Sequence, residues 1–136
     1  MQGETTLLFT ISGNQENALA NPIPYFRTTQ GSKWSKGAMR YTAWKQYVQK
    51  CLEKQNNLKA VAGKPIKLTE EKTATMDIAI EWANKAHADC DNIFKGIADA
   101  LFDNDKHITS GSFKSCMSKS KHGQVLVRIK INGKYP

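Results

Sequence analysis

Three stretches of the chain alternate apolar and polar side chains, and two more repeat apolar residues at helical spacing. Leu7, Phe9 and Ile11 alternate with Leu8, Thr10 and Ser12, and Gly13-Asn14 then gives a turn signal, so the first element is predicted to be a strand. The clearest period of two sets Ala74, Met76, Ile78, Ile80 and Trp82 against Thr73, Thr75, Asp77, Ala79 and Glu81, a strand with one buried face. Val125, Val127, Ile129 and Ile131, against Leu126, Arg128 and Lys130, predict the last strand. Residues 110–117 read as a weaker strand, joined to the last one as a hairpin through a loop over 118–123.

Helical spacing occurs twice. Trp44, Tyr47, Val48, Cys51 and Leu52 fall at i, i+3, i+4, i+7 and i+8, with Thr42 as the cap and Asn56-Asn57 and Gly63-Lys64-Pro65 ending the element. Ile93, Phe94, Ile97, Ala98, Leu101 and Phe102 give a second, shorter amphipathic helix, with Asp91 or Asn92 as its N-cap. Strand, helix, strand, helix and hairpin make an α/β (α+β) fold built on a single mixed β-sheet with two main helices. The 136 residues suit one domain, 1–136. Between the first strand and the first helix, residues 14–41 read as a long connection, because Asn21-Pro22-Ile23-Pro24 disfavours helix.

Composition narrows the class. A hydrophobic content of 40% and a charged content of 24% are those of a folded soluble chain, and no apolar run is long enough to span a bilayer. The first residues lack a basic segment followed by a sufficient apolar core, so the expected compartment is the cytoplasm, with no membrane partner. Cys51, Cys90 and Cys116 are odd in number and widely spaced, which suggests neither a disulfide framework nor zinc and makes them reduced, mostly packing residues. His87, His107 and His122 form no H-x-x-x-H pair and read as solvated side chains.

The formal net charge of +8 favours a polyanionic partner. Its distribution is lopsided. Residues 27–54 carry Arg27, Lys33, Lys36, Arg40, Lys45, Lys50 and Lys54 against Glu53 alone, and the segment from Gly111 onward contains no acid. The long connection sets Tyr25, Phe26, Trp34 and Tyr41 beside Arg27, Lys33, Lys36 and Arg40, the mixture that stacks on bases and pairs with phosphates, although such aromatics can also simply cover core. Arg27, Lys33, Trp34, Lys36 and Arg40 are therefore the candidate DNA-binding residues.

The acids are concentrated elsewhere. Asp89, Asp91, Asp99, Asp103 and Asp105 account for five of the chain's 12 acidic residues, with Lys95 among them. Asp91, Lys95 and Asp99 follow one another by single helical turns, an acid, base, acid stripe. Two readings share these residues: caps and a solvated charged face, or a hard-cation site, since carboxylate oxygens are what Mg²⁺ takes, with water and phosphate completing its shell.

Asp89-Cys90-Asp91-Asn92-Ile93-Phe94-Lys95, then Asp99-Ala100-Leu101, then Asn104-Asp105-Lys106-His107-Ile108 resemble the RusA family of Holliday-junction resolvases. That family carries D-x-D-N-[apolar]-x-K, then D-A-L, then D-D-x-Q-[apolar]. The resemblance implies a crossover junction endodeoxyribonuclease acting in DNA recombination and repair. It further implies Mg²⁺ as cofactor, with Mn²⁺ as its substitute, Asp89, Asp91 and Asp105 as metal ligands, and Lys95 as the catalytic cation. A four-way DNA junction is the implied substrate and a homodimer the implied assembly. Three departures stand out: the connection after D-A-L is short, Asn104 replaces the first acid of the late pair, and His107 replaces the Gln. Asp103 is accordingly the alternative third ligand. The mechanism that follows is in-line attack by metal-activated water, with Lys95 stabilising the developing charge. The rival readings are a less selective Mg²⁺-dependent DNase on branched DNA and a non-catalytic dimeric DNA-binding protein.

Overall fold

The computed structural model describes residues 3–29 and 31–135. Four strands, β1 (Glu4–Ser12), β2 (Ala74–Trp82), β3 (Ile108–Met117) and β4 (Gln124–Asn132), form one sheet in the order β1-β4-β2-β3. Two helices, α1 (Lys36–Gln55) and α2 (Cys90–Leu101), complete the α+β fold. β4 runs antiparallel to both β1 and β2, whereas β2 and β3 are parallel, so the sheet is mixed.

The alternating residues bury as their period requires. Leu7, Phe9 and Ile11 of β1, all five apolar positions of β2, and Val125, Val127, Ile129 and Ile131 of β4 enter one core. It is closed by Tyr41, Trp44, Val48 and Leu52 of α1 and by Ile93, Ile97 and Leu101 of α2. The intervening side chains, Leu8, Asp77, Ala79, Leu126 and Arg128 among them, share the other face, where Arg128 pairs with Asp77 at 3.2 Å. No helix among the described residues is long and apolar enough to cross a membrane.

The mixed sheet and two helices are as the sequence predicts, but the closing hairpin is not. β3 and β4 follow one another in the chain yet are separated in the sheet by β2. The 118–123 turn signal says where the chain bends, not which strand it then pairs with. β4, with every second residue buried, suits the interior of the sheet, whereas β3 is exposed along nearly its whole length and occupies an edge. A parallel neighbour needs a crossover connection, and α2 is that crossover between β2 and β3.

Helix α1 also begins six residues before the predicted cap at Thr42. Ser35 is the N-cap, its hydroxyl accepting from the Ala38 N–H at 3.2 Å, while Thr42 lies inside the helix and donates to the Ala38 carbonyl at 2.9 Å. The apolar stripe extends back through Tyr41 to Ala38, a small residue that gives weak hydrophobic contrast. Lys36, Arg40 and Tyr41 therefore belong to the helix rather than to a loop. Of the cysteines, Cys116 is exposed on β3 instead of packing in the core.

Candidate active site

The approach to the acidic cluster is held from two sides. Where β2 ends, the Asn21 carboxamide accepts from the Ala83 N–H at 2.6 Å and donates to Asn84 Oδ1 and to the Ala86 carbonyl, both at 3.1 Å. Asn21 thereby ties the proline-containing segment to the chain that leads into α2. His87 folds back to stack on Trp82, with ring centroids 4.0 Å apart and planes 4° from parallel.

Asp89, not Asp91 or Asn92, is the N-cap of α2. Its backbone carbonyl accepts from the N–H groups of Asn92 and Ile93 at 3.1 and 3.3 Å, while its side chain makes no capping hydrogen bond. The carboxylate thus lies uncapped at the positive end of the helix, and Asp91 lies in the first turn beside it. Both side chains are exposed.

One turn further, the Lys95 ammonium lies 4.2 Å from the centroid of the Tyr25 ring. Among the described residues it forms no salt bridge; the three that occur involve Lys45, Lys64 and Arg128. The acid, base, acid stripe does not form a single functional face. Asp99 turns toward α1 and accepts from the Tyr41 hydroxyl at 2.7 Å, with Lys64 at 3.0 Å and Lys45 at 3.5 Å. Burial pushes the Asp99 carboxyl upward, but the hydrogen bonds from Tyr41 and Lys64 and the charges of Lys45 and Lys64 outweigh it and hold it below the usual carboxylate range. The same contact raises Tyr41: burial contributes most, and the hydrogen bond to Asp99 adds to it.

The two late aspartates have different surroundings. Asp103 is stitched to the segment before β2: its carboxylate accepts from the Leu68 N–H at 2.9 Å and its own N–H donates to the Ile66 carbonyl at 3.1 Å. Buried Phe102 anchors this stitch through a parallel bridge to Ile66. Asp105 is exposed and opens the 3₁₀ turn Asp105–His107 that feeds β3. Together with Lys95, Phe94, Ile108 and Phe113 it lines a cavity of about 320 Å³ between α2 and β3. Gly111 makes room there, since a Cβ would lie 2.5 Å from the Met76 carbonyl oxygen and 2.7 Å from Phe94.

Lys95 and Asp105 thus share one cavity, and Asp89 and Asp91 sit at the entrance of the same helix. Among the described residues no three His, Cys, Asp or Glu side chains converge as a metal-binding group. The donor chemistry nevertheless fits Mg²⁺, a hard cation that takes carboxylate oxygens and completes its shell with water and phosphate. Asp89, Asp91 and Asp105 are outside the salt bridges that engage Asp77 and Asp99.

The candidate DNA-binding residues lie on two elements. Arg27, Lys33 and Trp34 belong to the segment before α1, where Trp34 is 77% exposed and Lys33 lies 5.6 Å from its ring. Lys36 and Arg40 project from the first turns of α1. Arg40 borders a depression of about 400 Å³ shared with Pro24, Asn84, His87 and Ala88, the residues that lead to Asp89. Sequence reasoning missed Tyr25 as the partner of Lys95, Asn21 as the tether and Lys64 as the counter-ion of Asp99. None lies near its partner in the chain, so local spacing carried no signal of these contacts.

A family model described as Endodeoxyribonuclease RusA matches residues 17–132 of the chain. No curated protein matches it.

Proposed function

Because the chain belongs to the RusA endodeoxyribonuclease family, we propose that it is a Mg²⁺-dependent, structure-selective endonuclease that resolves four-way DNA junctions in recombination and repair. It acts as a homodimer that makes paired, symmetric nicks. The observation that carries this reading is the shared cavity of Lys95 and Asp105, next to a helix whose N-terminal carboxylates, Asp89 and Asp91, take part in no salt bridge among the described residues.

Asp89, Asp91 and Asp105 would hold the ion. When bound, Mg²⁺ would offset negative charge on the phosphoryl oxygens and lower the pKa of a water. Lys95 adds a fixed positive charge to the phosphoryl group as negative charge develops in the transition state, which favours that state over the bound ground state. Arg27, Lys33, Lys36 and Arg40 neutralise phosphates along the arms, and Trp34 offers a stacking face. Asp103, whose carboxylate is used by the Leu68 N–H, is the weaker choice for a ligand.

Each chain carries one such site, and a junction needs two nicks related by a two-fold, so a symmetric dimer matches the substrate. Exposed apolar side chains on the edge strand, Phe113 and Met117 at 48% and 46%, support self-association. A supercoiled plasmid with an extruded cruciform tests the proposal. Paired incision yields linear product, a less selective nuclease yields nicked and degraded circles, and a non-catalytic binding protein leaves the plasmid intact.

A further inference from the structure

We propose that Tyr25 is a positioning residue for Lys95, holding its ammonium by the face of the ring so that the cation stays both placed and un-neutralised. The inference rests on the reading of Lys95 as the catalytic cation. An exposed lysine on a four-carbon stem samples many rotamers, and something must restrict it if it is to meet one phosphoryl group. Ion pairing is the usual restraint, and Lys45 and Lys64 are restrained in that way by Asp99. For Lys95 the contact is instead the Tyr25 ring, at 4.2 Å from its centroid and well within cation–π range. The difference matters chemically. A carboxylate would cancel the charge that the transition state needs, whereas a ring quadrupole orients the ammonium and leaves its charge available.

Tyr25 is itself fixed with respect to α2. Its N–H donates to the carbonyl of Asn92 at 3.0 Å, one turn before Lys95. Its ring meets Tyr41 edge to face, with centroids 5.6 Å apart and planes at 76°, and the Tyr41 hydroxyl is anchored on Asp99. Gly96 eases the approach, because a Cβ there would lie 3.2 Å from the Tyr25 nitrogen, a few tenths of an ångström inside ordinary contact. Pro22 and Pro24 stiffen the preceding residues, and Asn21 ties them to the end of β2. The ring is therefore fixed to the helix that carries the lysine.

The test compares single-turnover cleavage and the dissociation constant for a four-way junction in Tyr25→Phe, Tyr25→Leu, Lys95→Ala and the Tyr25→Leu/Lys95→Ala double variant. Tyr25→pentafluorophenylalanine is the further arm; it keeps the ring's shape while removing its negative face. Tyr25→Phe should cleave like the parent. The leucine and fluorinated variants should lose about tenfold in rate with affinity nearly unchanged, and the leucine change should cost nothing further once Lys95 is alanine. In proton NMR the Lys95 ε-methylene should be shielded by the ring current in the parent and in Tyr25→Phe, and return to an unstructured shift in Tyr25→Leu. A fully active fluorinated variant, or an unshielded lysine in the parent, overturns the positioning role alone. Lys95→Ala cleaving at the parental rate overturns the reading of Lys95 and this inference with it.

Discussion

The carboxylate of Asp99 accepts a 2.7 Å hydrogen bond from the hydroxyl of Tyr41, joining α2 to α1. In sequence Asp99 looks like a further member of the acidic cluster, but its partners make it structural. Asp99→Asn should leave cleavage within a few-fold of the parent and lower stability by about 1–3 kcal/mol, the cost of weakening a charge-assisted hydrogen bond and leaving Lys45 and Lys64 without a counter-ion. Chemical denaturation beside a cleavage assay measures both.

The same hydrogen bond gives stability a pH dependence of known sign. The folded-state pKa of Asp99 lies below its ordinary value, so its contribution is present in full above the unfolded pKa of about 3.9 and is lost as pH falls through the folded value. Asp77, lowered chiefly by its hydrogen bond from Ser112 and further by Arg128, acts in the same direction. Stability should decline below about pH 4, and less steeply in Asp99→Asn. Urea titrations at pH 3 and pH 7 test the slope.

Asp103 and Asp105 should separate into structure and chemistry. Asp105→Asn should abolish most cleavage with junction binding retained or tightened, because the proposed ligand set loses a carboxylate and repulsion toward phosphate falls. Asp103→Asn keeps an acceptor for the Leu68 N–H and should stay active, while Asp103→Ala should lose about 0.5–1.5 kcal/mol of stability. A dead Asp103→Asn beside an active Asp105→Asn would reverse the assignment.

The regular elements were legible because their burial is one-sided. Alternation in β1, β2 and β4 gives the strands, and Ile93, Ile97 and Leu101 give α2. What escaped depends on partners distant in the chain. Nothing between Met117 and Gln124 reveals that β2 lies between β3 and β4. Ala38 and Gly37 conceal the first turns of α1. At the candidate site, the DxDN segment was legible as a helix start, but which Asp caps it depended on backbone conformation at Asp89. The divergence of Asp99 from Lys95 depended on Lys64 and Tyr41, and Lys95's own partner on Tyr25.

Gly111 offers a check on how α2 packs against the edge strand. Gly111→Ala would drive a Cβ into the Met76 carbonyl and the Phe94 ring, and relief requires β3 to move away from β2. A loss of about 1–3 kcal/mol is expected, with cleavage reduced as the wall behind Lys95 and Asp105 shifts. Thermal melting and a junction assay report the two effects.

Junction affinity should fall linearly with salt on logarithmic axes. For every phosphate that Arg27, Lys33, Lys36 and Arg40 no longer neutralise once replaced, the slope should flatten by about 0.9. A salt titration of the fourfold alanine variant against the parent measures the change, and an unchanged slope would remove these residues from the DNA surface.

Asp89, Asp91, Asp105 and Lys95 are proposed to form a metal-dependent centre for cutting branched DNA. The most direct test is a gel assay of the purified protein on a synthetic mobile four-way junction and on linear duplex of the same sequence, with Mg²⁺ or with EDTA. Symmetric cleavage of the junction alone, present with Mg²⁺, absent with EDTA and absent in Asp91→Asn, is the predicted result. Equal cutting of the duplex, or cutting that survives EDTA or Asp91→Asn, would contradict it.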